Sequence, residues 1–282
     1  MSEHAHQQTQ MNALTIRDLD VRIASHPILD SVSMDVAPHE RVGLIGSSGS
    51  GKSMLARAIL GLLPSNALAQ GSISLFGEEL IEASERTMAD FRGRIVSAIF
   101  QNPAVALNPV MKVGKQIELP LRLHYDIPAS ERLHRVEAML DKVGLPHDVL
   151  NVYPHELSGG QQQRVAIATA LITSPRFIIA DEPTTALDSI TQLHIIDVLV
   201  ELVDRAGASL LFITHDFGVL AHATQRCYVI DRGRVAESGP TKQLLSNPKQ
   251  SVTRQLAESA EELKFNGLRA DLDESTGSDG NE

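Results

Sequence analysis

Gly46-Ser47-Ser48-Gly49-Ser50-Gly51-Lys52-Ser53 follows the apolar run Arg41-Val42-Gly43-Leu44-Ile45. Its Gly-x-x-x-x-Gly-Lys-Ser spacing is that of a phosphate loop, in which glycines let amide N–H groups close around phosphate oxygens at a helix N-terminus. Lys52 is placed to reach the β- and γ-phosphates of a nucleotide. The Ser53 hydroxyl is placed to hold Mg²⁺, whose octahedral shell takes phosphate and water oxygens. The run before the loop reads as a strand. After it, Leu55, Ala58, Ile59 and Leu62 read as one helical face, with Pro64 as the stop.

Outward from this strand–loop–helix unit, short apolar strands alternate with helical stretches, which predicts an α/β layered fold around a largely parallel sheet. Leu14 to Val21 and Ser72 to Phe76 alternate apolar and polar residues at a period of two, so they suit an antiparallel sheet with one wet face. Residues of about 100–165 carry helical patterns, such as Glu131 to Val143 closed by Gly144 and Pro146, and are expected to form an inserted helical subdomain. Arg176 to Ala180 and Ser209 to Ile213 are continuous apolar runs, as expected of strands buried on both faces. A turn is expected at Asp231-Arg232-Gly233-Arg234. Residues 1–12 and the acidic tail over 258–282 have little to bury and are expected to be disordered or flexible.

Two acids end the first of those buried runs, Ile178-Ile179-Ala180-Asp181-Glu182. A carboxylate at Asp181 can bind Mg²⁺ through water. Glu182 can orient or deprotonate an attacking water, a role worth about 10²–10⁴ in rate. Between the phosphate loop and these acids stands a second glycine-rich stretch, Ser158-Gly159-Gly160-Gln161, at the start of an expected helix from Gln161 to Ile172. Its hydroxyl and unobstructed amides make a second anion site. Two anion sites in one chain imply two half-sites and a dimer.

Composition narrows the class. The chain has 282 residues, 43% apolar and 21% charged, with a formal charge of −10, which disfavours nucleic acid as a main partner. No window approaches the roughly 18 apolar residues of a membrane span, and the first residues lack the order of a signal peptide, so the chain is expected in the cytoplasm. The single cysteine, Cys227, excludes an internal disulfide and a cysteine-ligated cluster and reads as a core thiol. His4 and His6 read as solvated.

Leu157-Ser158-Gly159-Gly160-Gln161 resembles the signature of ATP-binding cassette (ABC) ATPases, and the motifs around it stand in that family's order. The resemblance covers about residues 13–256. It implies a P-loop NTPase (RecA-like) core with an antiparallel β subdomain and the helical insertion, an ABC ATPase domain over 13–257, and ATP with Mg²⁺ as ligands. It implies that Ser158, Gly159, Gly160 and Gln161 close over ATP held by a partner cassette. Gln101 resembles the family's Q-loop glutamine, which touches Mg²⁺ or the water. Leu187-Asp188 resembles the loop that crosses the dimer interface, and Asp188 also reads as a helix N-cap. His215, after an apolar strand and Thr214, resembles the switch histidine at the γ-phosphate. Around Val21-Arg22-Ile23 the family often has an aromatic residue against adenine; here Ile23 or His26 would take that place.

Gln101 to Pro109, Tyr153-Pro154-His155-Glu156 and Ala180 to Thr185 resemble the peptide/nickel importer branch of the family, whereas Gln250 and Val252 replace the His and Tyr usual near its C-terminus. This implies a peripheral ATPase at the cytoplasmic face of the membrane that powers uptake of dipeptides, oligopeptides, nickel or a metal chelate. Its partners would be a second ABC ATPase subunit, two transmembrane permease subunits and, indirectly, an extracytoplasmic solute-binding protein. Two alternatives stand beside it: a non-transport ABC ATPase, disfavoured because only 56 residues separate Gln101 from Ser158, and a catalytically silent nucleotide-binding subunit, disfavoured by intact Lys52, Asp181, Glu182 and His215.

Overall fold

The computed structural model describes residues 11–184 and 188–260. The expectations for residues 1–10, for Leu187 and for the tail from residue 261 lie outside the described residues. In chain order the strands are β1 (Leu14–Ile23), β2 (His26–Val36), β3 (Arg41–Ile45), β4 (Ala67–Leu75), β5 (Glu78–Glu79), β6 (Val96–Ile99), β7 (Phe177–Asp181), β8 (Ser209–Thr214), β9 (Arg226–Asp231) and β10 (Arg234–Pro240). The helices are α1 (Lys52–Ile59), α2 (Glu85–Phe91), α3 (Pro103–Ala106), α4 (Val113–His124), α5 (Ala129–Lys142), α6 (Gly159–Leu171), α7 (Ser189–Ala206), α8 (Phe217–Ala223) and α9 (Thr241–Ser246). Residues 251–260 are also helical.

Pairing sorts the strands into two sheets: an antiparallel one ordered β2-β1-β4-β5 and a second ordered β10-β9-β3-β8-β7-β6. In the second sheet β9, β3, β8, β7 and β6 run parallel, and only β10 is antiparallel to its neighbour. Every residue of β7 and β8 is buried. Alternate residues serve opposite faces: Ile178, Ala180, Leu210 and Phe212 join one apolar cluster, and Phe177, Ile179, Leu211 and Ile213 the other. Each Ile, Leu or Phe side chain so removed from water contributes about 1.5–3 kcal/mol, so a sheet covered on both faces carries the core. The first cluster continues into α4, α5 and α6 through Ile117, Leu121, Val136, Leu140 and Val165; the second fills the space under the antiparallel sheet.

The helix after the phosphate loop ends earlier than expected. α1 stops at Ile59, because Gly61 takes φ +62° and the N–H groups of Gly61 and Leu62 turn back to the Ala58 and Arg57 carbonyls. Glycine reaches this left-handed conformation without Cβ strain. Leu62 therefore lies off the helix and is exposed, and Pro64 is not the stop. The alternation of β1 is likewise broken, at Asp18 (φ +47°), where the register with β4 shifts between Arg17 and Asp20; the strand then runs on to Ile23. β2, although Val32-Ser33-Met34-Asp35-Val36 alternates apolar and polar residues, and β6 were not anticipated from the sequence.

Candidate active site

β6, β7, β8 and β3 are adjacent and parallel, so the segments that follow them leave the same edge of the sheet. Ligands of open α/β sheets bind at this carboxyl edge. Gln101 follows β6, Asp181 and Glu182 end β7, His215 follows β8, and the phosphate loop follows β3. Residues up to 169 positions apart in sequence, Gly46 and His215, meet here because the strands that carry them are neighbours.

The phosphate loop wraps the first turn of α1. Gly51 is the N-cap at φ +109°, no side chain caps the turn, and no acid lies in it. The N-terminal amides and the positive end of the helix are thus left for an external anion. Lys52 is 5% exposed and folds back over the loop, donating to the Gly46 and Ser47 carbonyls at 2.9 and 3.0 Å. Burial pushes its pKa down, opposed by the attraction of Glu182 and then Asp181. An open cavity of about 330 Å³ is lined by Ser48, Gly49, Gly51, Lys52, Ser53, Gln101 and Glu182, with Ile28 and Met54.

Three polar side chains converge beside the loop. Gln101 Nε2 donates to Glu182 Oε2 at 3.0 Å, and His215 Nδ1 lies 3.3 Å from Glu182 Oε1. Glu182 has φ +48°, an uncommon conformation for a side-chain-bearing residue, and its N–H is held by the Ile213 carbonyl at 2.9 Å. Asp181 is buried, and desolvation raises its pKa; a hydrogen bond with Ser53 works against the rise, while the Glu182 charge adds to it. Asp181 Oδ1 is fully buried with no hydrogen-bond partner. A buried carboxylate oxygen with an unmet need, next to the exposed Ser53 hydroxyl at the phosphate loop, fits a hard divalent cation completed by phosphate and water oxygens. Among the described residues no group of three or more His, Cys, Asp or Glu could hold a metal by itself.

The second anion motif is built elsewhere. Ser158 caps α6 in a reciprocal box: its Oγ accepts from the Gln161 N–H at 3.3 Å, and Gln161 Oε1 accepts from the Ser158 N–H at 2.9 Å. None of Ser158, Gly159, Gly160 and Gln161 lines the phosphate-loop cavity. α6 begins at Gly159, two residues before the expected Gln161. Asp188 caps α7, accepting from the Thr191 N–H at 3.0 Å, and also lies outside that cavity. Ile23 and His26 pair across the β1–β2 turn, and neither borders the cavity; Ile28, which the sequence reading passed over, does. The expected turn at Gly233 makes a contact that the sequence did not show: the Gly233 N–H donates to the Ser50 carbonyl at 3.0 Å and braces the loop. No local pattern marks these contacts, because they are made by distant strands. Cys227 is fully buried, with its thiol pushed up to about 12 by desolvation, and takes no part.

Residues 29–185, more than half of the chain, match the family described as ABC transporter. The chain belongs to the ABC transporter family. This ABC ATPase is 42% identical over 251 residues, 86% of its length, to the peptidoglycan transport ATP-binding protein YejF of Agrobacterium fabrum, of which it spans only 46%. It is 42% identical over 231 residues to the oligopeptide transport ATP-binding protein OppD of Lactococcus lactis subsp. cremoris, covering 81% of the cassette and 68% of OppD. Among solved structures, the dimeric post-hydrolysis state of the ATP-binding cassette MJ0796 bound to ADP and Pi superposes with a TM-score of 0.73 at 29% identity, covering 81% of this cassette and 98% of that chain. The cbiO1 protein of Clostridium perfringens, part of the ABC transporter complex cbiONQ, gives the same TM-score at 25% identity over 90% of this cassette and 99% of its own chain. No described helix of the cassette is long and apolar enough to cross a membrane.

Proposed function

We propose that the cassette powers import of peptides, sandwiching ATP with a second cassette and driving two membrane permease subunits from the cytoplasmic face of the membrane. The observation that carries the reading is the Gln101–Glu182–His215 cluster beside an intact phosphate loop, combined with a relative that is named for oligopeptide transport.

The roles follow from the chemistry of each group. The amides of Gly46, Ser47, Ser48, Gly49, Ser50 and Gly51 bind phosphate oxygens. Lys52, released from the Gly46 and Ser47 carbonyls, places its charge on the β- and γ-phosphates, a charge that Glu182 and Asp181 support against the cost of burial. Ser53, Asp181 and Gln101 would hold Mg²⁺, which when bound neutralises phosphate charge. Glu182 accepts the proton of the attacking water. Gln101, hydrogen-bonded to the same carboxylate, sets the water's direction, and His215 donates to the γ-phosphate once its contact with Glu182 opens. Ser158, Gly159, Gly160 and Gln161, with Asp188, serve the nucleotide of the partner cassette. Their separation from the chain's own phosphate-loop cavity supports a composite site made by two chains. The helical insertion, about 100–165, lies between Gln101 and the signature and is the natural contact for the permeases.

The test is uptake of radiolabelled dipeptides and oligopeptides in cells carrying Lys52→Ala at native expression, with nickel uptake measured in parallel. Loss of peptide uptake with nickel uptake intact is expected. Normal peptide uptake with lost nickel uptake would assign a metal or metal-chelate cargo, and loss of neither would return the chain to the non-transport readings.

A further inference from the structure

α6 carries a second feature one turn beyond its cap. Gln163 is 1% exposed, and its Nε2 is fully buried without a hydrogen-bond acceptor. It borders a cavity of about 170 Å³ whose other walls include Gln101, Asn102 and Ala104 after β6, Gly159 of α6, and Thr184 after Glu182. A buried amide donor left unmet is costly, and a Met or Leu of similar volume would fill the position without that cost. The placement is therefore informative. Gly159 and Gln163 are four residues apart and share one face of α6, and both border the cavity. The loop opposite is already shaped at its far end, where Asn102 caps α3 by accepting from the Ala104 N–H at 3.0 Å. The helix itself is held as a unit: Gln162 Nε2 donates to the Pro154 and Leu157 carbonyls at 2.9 and 3.1 Å, and Val165, Ile167 and Ala168 are buried below.

We infer that Gln163 is a positioning residue for hydrolysis: its buried amide takes a backbone carbonyl of the 101–104 loop when the signature end of α6 is engaged, and so fixes Gln101 against Glu182 in the same chain. The cavity supplies the room for that approach. A rigid helix carries a displacement at Ser158 to Gln163, about 7.5 Å further along at 1.5 Å per residue, so occupancy of the partner's nucleotide site is read by this chain's own water-positioning glutamine. The inference rests on the hydrolytic reading of Gln101 and Glu182.

The test is ATPase kinetics of the assembled transporter with Gln163→Met, Gln101→Ala and the double variant, with melting temperatures alongside. Gln163→Met should lower kcat about tenfold, leave KM for ATP within twofold, and leave the melting temperature unchanged or raised. Because Gln163 acts through Gln101, its effect should vanish in the Gln101→Ala background. Additive losses, or a normal kcat in a folded Gln163→Met transporter, would overturn the inference. Normal kcat in Gln101→Ala alone would instead overturn the hydrolytic reading beneath it. Should Gln163→Met fail to fold, Gln163→Leu removes the donor without burying a charge; the same kcat loss supports the inference, and wild-type kcat sinks it.

Discussion

Gln101 Nε2 donates to Glu182 Oε2 at 3.0 Å, joining the ends of two adjacent parallel strands, β6 and β7, across 81 residues of sequence. The bond ties the entrance of the helical insertion to the acid beside the phosphate loop, so a movement of that insertion is felt at the carboxylate.

Glu182→Gln keeps the side-chain volume and the Gln101 and His215 neighbours while removing the proton acceptor. Phosphate release by the purified complex should fall about 10²–10⁴-fold with ATP binding retained. Unchanged turnover would remove Glu182 from the role of general base.

Asp181→Asn should separate stability from activity. The Asp181 carboxyl is raised by burial above its usual 3.8, so the folded state binds the proton more tightly than the unfolded one. Stability from this group is therefore greatest below 3.8 and is lost as pH rises through the raised value. The amide escapes that loss, and Glu182 remains to attract Lys52. At neutral pH the variant should melt higher than the wild type, while ATPase activity collapses. The difference in melting temperature should close below pH 3.8. A lower melting temperature at pH 7 would mean that the charge is compensated.

Gly233→Ala should weaken ATP binding from outside the cavity. Gly233 sits at φ +78°, and an added Cβ would stand 2.4 Å from the Ile28 carbonyl oxygen. The turn must shift, and with it the N–H that holds the Ser50 carbonyl. The expected result is a cost of about 1–3 kcal/mol in stability together with a raised Kd for ATP by equilibrium binding; an unchanged Kd would show that the loop keeps its shape without the brace.

Ser158→Asp divides capping from nucleotide contact. Asp caps a helix about as well as Ser, so the melting temperature should hold, whereas a carboxylate facing the partner's phosphates should cut ATPase activity of the assembled transporter by about 10²-fold or more. Full activity would leave Ser158 as a cap alone.

The sequence by itself determined the layered α/β class, the phosphate loop, the buried runs that became β7 and β8, and the family. It could do so because those features are local: a glycine spacing, an uninterrupted apolar run, and a five-residue word at a helix start each state their physics within a few positions. Tertiary structure decided what depends on neighbours. It placed Gln101, Glu182 and His215 together, because strand order in a sheet is set by packing on both faces and not by proximity in the chain. It ended α1 at Gly61, ahead of Pro64, because the left-handed turn satisfies the last carbonyls first. It set Ile28, and neither Ile23 nor His26, at the cavity, and it buried Gln163 opposite the Gln101 loop, since a side chain's burial is fixed by whatever element folds against it.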